Sequence, residues 1–175
     1  MAQFNVYRVR LPERPEEFVD VVSLLPPEVC GNHGLAGEVI AGFCTRLMQQ
    51  GEKISAETFR PNRPFIDLLH EVIANAAPAD PALQAAARQQ QTGWVYILDA
   101  RTPTPQGTVP PHDIMGAFEV RNGAIVAGSY SANQKHRLFS DDGFFKLPDE
   151  FLQDALMKRI FSAAGVPDSR PASGR

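Results

Sequence analysis

The chain has 175 residues, 43% of them apolar and 21% charged, an ordinary globular composition that excludes wholesale disorder and suits one domain better than two. Its net charge of -3 comes from 8 basic against 11 acidic residues up to Thr92 and 9 against 9 after it, so neither half is a basic module that would grip a nucleic-acid backbone. Two cysteines make no disulfide framework and point to a reducing, cytoplasmic setting; no apolar stretch approaches the ~20 residues of a membrane span, and no charged and then apolar leader is expected at the N-terminus.

The first element is a strand. From Phe4 to Leu11 the residues alternate with period two, and Tyr7, Val9 and Leu11 make the cleaner apolar face, before Pro12 and Pro15 end the run. Glu16 to Leu25, rich in Phe18, Val19, Val21, Val22, Leu24 and Leu25, reads as a short helix stopped by Pro26 and Pro27. From Leu35 to Gln49 two rows run at i+4, Leu35-Val39-Phe43-Leu47 and Ala36-Ile40-Cys44-Met48, which predicts an amphipathic core helix ending at Gly51. Gly37 and Gly42 inside it cost roughly 1 kcal/mol each against alanine. A third helix opens at Pro64 and buries Phe65, Leu69, Val72, Ile73 and Ala76, with Asp67, His70, Glu71 and Asn75 on its wet side. Asp80-Pro81 is an N-cap followed by proline in the first turn, and starts an alanine- and glutamine-rich helix that reaches about Gln91.

After Gly93 the period changes. Trp94 to Asp99 is a β-branched and aromatic run, and Ile114 to Arg121 and Ala124 to Tyr130 are two further strands around Asn122-Gly123. That dipeptide suits a type I′ hairpin, whose two central residues both need positive φ. It sets Arg121 opposite Ala124, Val120 opposite Ile125 and Phe118 opposite Ala127. A last helix from about Pro148 to Ala164 buries Leu152, Ala155, Leu156 and Ile160, and Gly165 with Pro167 ends it. The order predicts an α+β domain over residues 1–167: a small antiparallel sheet, a three-stranded meander plus the N-terminal strand, with helices packed mainly on one face and 168–175 as a disordered tail.

The meander places the candidate site. Consecutive antiparallel strands put the connection Arg101–Asp113 and the chain leaving Tyr130 at the end of the sheet away from the Asn122-Gly123 turn. Thirteen residues is long for a hairpin connection, and Pro103, Pro105, Pro110 and Pro111 stiffen it toward an extended conformation. One end therefore gathers Asp99, Arg101, His112, Asp113, Tyr130, Asn133, Lys135, His136 and Arg137, with Arg101 and His136 facing one shared cleft. Arginine there suits bidentate capture of an anion, and histidine beside a carboxylate suits acid–base work or ligand binding. Cys30-Gly-Asn-His33 offers a thiol near an imidazole, but the same residues describe a tight turn, and the turn is the expectation. A metal is not expected, because Cys30-x-x-His33 has no second ligand pair at zinc-site spacing. Walker, Rossmann, serine-hydrolase-elbow and zincin motifs are all absent.

The sequence thus predicts a cofactor-free binding or interaction protein that presents the loop end of its sheet to a small-molecule ligand or a protein partner, with neither nucleic acid nor membrane as partner. The alternative is a small hydrolase or transferase using His112 or His136 with Asp99 or Asp113 in the same cleft. A homodimer fits the need of so small a sheet to cover or pair its edge strand.

Overall fold

The computed structural model describes residues 3–101 and 108–167; Pro103, Pro105 and the expected tail lie outside the described residues. The fold is α+β and its sheets are antiparallel, and the described residues form two sheets of four strands each and a small hairpin. β1 (Asn5–Leu11) alternates as its sequence requires, with Tyr7, Val9 and Leu11 turned inward and Arg8 and Arg10 outward. It turns at Pro12-Glu13 straight into β2 (Arg14–Ser23). This corrects the expected helix over Glu16–Leu25: four of its residues are β-branched or aromatic, and Val21 and Val22 are wholly buried as a strand. Pro15 is tolerated because β2 at that end pairs with β1 alone; its other edge meets β3 only from Val21 onward.

Pro26 and Pro27 start an element instead of stopping one. α1 (Pro27–His33) has proline in its first turn, so Cys30 and His33 lie in a short helix and not in the expected turn. The expected helix over Leu35–Gln49 is also corrected: a 3-10 turn at Gly37–Val39 leads into β3 (Ile40–Cys44), and Leu47 stands 43% exposed in a loop. Gly42 explains the choice. A Cβ there would sit 2.3 Å from the Phe59 ring and 2.5 Å from the Arg60 carbonyl oxygen, so glycine is what lets β4 (Phe59–Pro61) close against β3. Cys44 is buried as expected, though on a strand. The buried Asp20 carboxylate accepts hydrogen bonds from Arg8 and from the Met48 amide, which ties the following loop to the sheet.

α2 (Arg63–Ala76) and α3 (Pro81–Gln90) form where expected, the second capped by Asp80, whose side chain accepts from the Ala82 amide. The second sheet starts with β5 (Gly93–Leu98), which pairs with β6 (Ile114–Arg121). Asn122 and Gly123 take φ of 51° and 73°, Arg121 faces Ala124 and Val120 faces Ile125, as the turn demands. The third strand then departs from expectation. β7 stops at Ala124–Ile125, the chain bulges through Gly128 at φ 72°, and β8 (Ser131–Ala132) rejoins β6 with Ser131 opposite Ala117. Phe118 therefore does not face Ala127. β9 (Phe139–Ser140) and β10 (Gly143–Phe144) make a two-residue hairpin, and α4 (Glu150–Ala163) closes the chain with Leu152, Leu156 and Ile160 wholly buried. One apolar core joins both sheets to α2, α3 and α4. No described helix is long and apolar enough to cross a membrane.

Candidate functional site

β5 ends at Leu98 and delivers Asp99 to the loop end of the second sheet. There the Asp99 amide donates to the Asp113 carbonyl at 2.7 Å, and the Ala100 amide to the Lys146 carbonyl at 2.8 Å. The Asp99 carboxylate is enclosed. Its Oδ1 accepts from the amides of Arg101 at 3.0 Å and Lys146 at 2.9 Å, while Oδ2 lies 2.9 Å from both His136 Nε2 and Arg101 Nη2. Burial alone would raise the Asp99 pKa, but the His136 hydrogen bond, the two backbone amides and the guanidinium outweigh it and hold the carboxyl below its usual range.

Arg101 is the hub. Nη1 donates to Ser140 Oγ at 3.2 Å and to the Gly143 carbonyl at 2.8 Å, and Nη2 to the Arg137 carbonyl at 2.6 Å. Nη2 also lies 3.3 Å from Asp113 Oδ1, and the side chains of Arg101, Asp99 and Asp113 are all wholly shielded from solvent. The topology does bring Arg101 and His136 together, through Asp99, but in the interior and not in a cleft: the His136 side chain is 3% exposed.

The other expected site residues divide. Tyr130 turns beneath the sheet, where its hydroxyl meets His70 Nδ1 at 2.7 Å. Gly116 leaves the room for it, since a Cβ there would lie 2.6 Å from the tyrosine ring and hydroxyl. His70 is thus not the solvated residue its helix face suggested; burial, with His136 and Arg63 nearby, pushes its pKa down to about 4. Asn133 is stitched into the loop end, its amide donating to the Pro111 and Ile114 carbonyls at 2.7 Å each and its Oδ1 accepting from the Lys135 amide. The Arg137 side chain is exposed, and its backbone serves instead, taking Arg101 at the carbonyl and giving its amide to the His112 carbonyl at 3.2 Å. The segments on either side of the connection, 108–113 and 131–137, therefore lie side by side.

His112 is half-buried, with Nε2 3.7 Å from Asp113 Oδ1; with Asp142 from the β9–β10 turn, these side chains bring three potential metal-ligand atoms within 4.8 Å. The donor set is one imidazole and two carboxylates, but an ion there would share its most buried ligand with the Arg101 guanidinium, a cation already in place. Cys30 is no activated thiol, because burial pushes its pKa up.

An accessible groove of about 510 Å³ lies on the outer face of the second sheet. Trp94 and Tyr96, 45% and 57% exposed, stand on β5. Small residues on β6 and β8, Ala117 and Ser131, lower the floor beside them, and Ile114, Pro111, Asn133 and Lys135 form the loop-end wall. Among the described residues, Lys135 is the one charged residue lining it. Of the expected site residues, Asn133 and Lys135 thus reach the groove while the ionic cluster braces the same loop from behind. Trp94 and Tyr96 are legible as the exposed set of an alternating strand, though neither carries a charge that would mark it as a site residue. No family model, curated protein or solved structure matches this chain.

Proposed function

We propose that this chain is a binding protein whose groove on the outer face of β5, β6 and β8 takes a flat, apolar or aromatic molecule carrying an acidic group. The observation that supports this most is the lining itself: two exposed aromatic side chains over a floor of small residues, with Lys135 the lone charged side chain of the lining among the described residues. Its volume of about 510 Å³ falls within the range of small-molecule sites, roughly 300–1,000 Å³. Ring stacking on Trp94 or Tyr96 contributes about 0.5–1.5 kcal/mol beyond area burial, and the Lys135 ammonium favours an anionic end over a neutral one. The buried Asp99–Arg101–Asp113–His136 cluster acts as the brace that holds the Lys135 loop in place. Burial of Asp99 and His136 counts against the hydrolase or transferase alternative, since a general acid or base must come within hydrogen-bond reach of its substrate.

Trp94 is the chain's one tryptophan, so its indole N–H gives a single assignable resonance at the groove, to be followed at fixed protein concentration. Titration with naphthalene-2-carboxylate should shift that resonance saturably, and naphthalene-2-carboxamide should bind more weakly. Lys135→Ala should remove roughly 1 kcal/mol of that preference for the acid, about fivefold in affinity. Absence of a saturable shift with either probe, or an acid preference that survives Lys135→Ala, would overturn the reading.

A further inference from the structure

The hydrogen-bond pattern of β6 fixes which backbone groups of its neighbour are free. On β6 the Met115 carbonyl accepts from Asn133, the Glu119 carbonyl from Val126, and the Glu119 amide donates to Ser129 Oγ, so the odd-numbered residues point toward β7 and β8. By alternation Gly116, Phe118 and Val120 point toward β5, where they face Ile97, Val95 and Gly93. Trp94 and Tyr96 therefore direct their amides and carbonyls to the open edge of the sheet, and among the described residues nothing bonds to them there.

Every other sheet edge among the described residues is guarded. β1 carries Arg8 and Arg10, the stretch of β2 that β3 leaves free carries Arg14, Pro15, Glu16 and Glu17, β4 is three residues long with Arg60 and Pro61, and β7, β8, β9 and β10 have two residues each. β5 is six residues long, Gly-Trp-Val-Tyr-Ile-Leu, without a charge or a proline. An uncharged, unguarded edge of that length is a template for another strand.

We propose that two copies of this chain pair antiparallel along β5 as a twofold dimer. The second copy suits the edge because the strand is its own complement. A twofold axis at Val95 sets Trp94 of one copy opposite Tyr96 of the other, and the two outward-facing residues then exchange hydrogen bonds in both pairs. The same register places each exposed indole beside a phenol on the outer face, an aromatic cross-strand pair on either side of the axis, and no charge opposes another. A single strand pair is a small interface, so the dimer is of the weak, reversible class with dissociation in the micromolar range. The inference does not rest on the proposed ligand, and its test uses none.

Sedimentation velocity from about 1 to about 300 µM spans that class of affinity. The mass should rise from 19.2 kDa toward twice that value, and Tyr96→Lys, which puts an ammonium against each side of the axis, should stay at 19.2 kDa throughout. Hydrogen exchange supplies a second measurement that needs no variant. The Trp94 and Tyr96 amides should become protected as concentration rises, whereas the Val95 and Ile97 amides, already bonded to β6, should not change. A wild-type chain that stays monomeric over the whole range, or a dimer that leaves the Trp94 and Tyr96 amides as fast as in the monomer, overturns the proposal.

Discussion

Arg101→Met separates a structural brace from a decorative ion pair. The substitution keeps most of the side-chain length and volume, so it opens little cavity, but it withdraws the guanidinium from Asp99 and Asp113 and from the carbonyls of Arg137 and Gly143. Breaking a buried pair by deleting one partner costs about 3–5 kcal/mol, because the remaining charge is left in a poor solvent. Each orphaned carbonyl adds on the order of 1 kcal/mol before water enters or the loop relaxes. A net loss of about 4 kcal/mol follows, which in a chain of this size lowers Tm by roughly 8–16 °C. The loss should itself depend on pH. The wild-type Asp99 carboxyl is held below its usual pKa, so its contribution is present above the unfolded value and fades as pH falls through the folded one. The guanidinium is one of several groups that hold that carboxyl down, so without it the carboxyl titrates somewhat higher and the gap between wild type and variant should narrow between about pH 7 and pH 3. Urea unfolding at those two pH values measures both effects. A deficit under about 1 kcal/mol at neutral pH, or one of the same size in acid, would refute the claim that the cluster braces the loop end.

His70 makes a second pH signature of opposite chemistry. Its folded pKa of about 4 lies below the unfolded value near 6.5, so the folded state resists protonation, and its contribution is complete above about pH 6.5 and lost as pH falls toward about 4. Because the imidazole is only partly buried, the loss is on the order of 1–2 kcal/mol, and His70→Gln should flatten the stability profile in that window; an unchanged slope in urea midpoints would contradict this. Gly123→Val places a β-branched side chain at φ 73°, with its Cβ 2.9 Å from the Gln91 side chain. A loss of about 1–3 kcal/mol is expected, and an unaltered unfolding midpoint would show that the turn does not set the hairpin register.

The sequence shows most where a single period is dominant. α2 and α3 have clear start signals in Pro64 and Asp80-Pro81, and the Asn122-Gly123 turn dictates register from two residues; the Asp149 cap of α4 emerges only in the structure. Over Glu16–Leu25 and Leu35–Gln49 the apolar residues are dense enough to satisfy a helical row and a strand alternation at once. There the β-branched valines of β2 and Gly42 of the second segment are the deciding signals. The meeting of Asp99, Arg101 and His136 at one end of a sheet is readable from topology. Their burial is not, because the covering comes from Ser140, Gly143 and Lys146, in a stretch whose two-residue strands carry no periodicity. The His70–Tyr130 contact, 60 residues apart and enabled by an absent side chain at Gly116, leaves no local trace at all.

The Arg101 hub also orders events in time. Its partners Arg137, Ser140 and Gly143 lie 36, 39 and 42 residues further along the chain, and Lys146 lies 47 residues beyond Asp99. Closing loops of that length must precede any reward from the bonds they permit. On the ribosome, the β5–β6 hairpin and α2 can form, with Asp99 and Asp113 already beside Arg101, while its acceptors at Arg137, Ser140 and Gly143 are still unsynthesised, so the guanidinium is enclosed only after Gly143 has emerged. Contacts completed that late are expected to slow the escape of the finished fold more than they speed its formation, so Arg101→Met should raise the unfolding rate and leave the folding rate nearly unchanged.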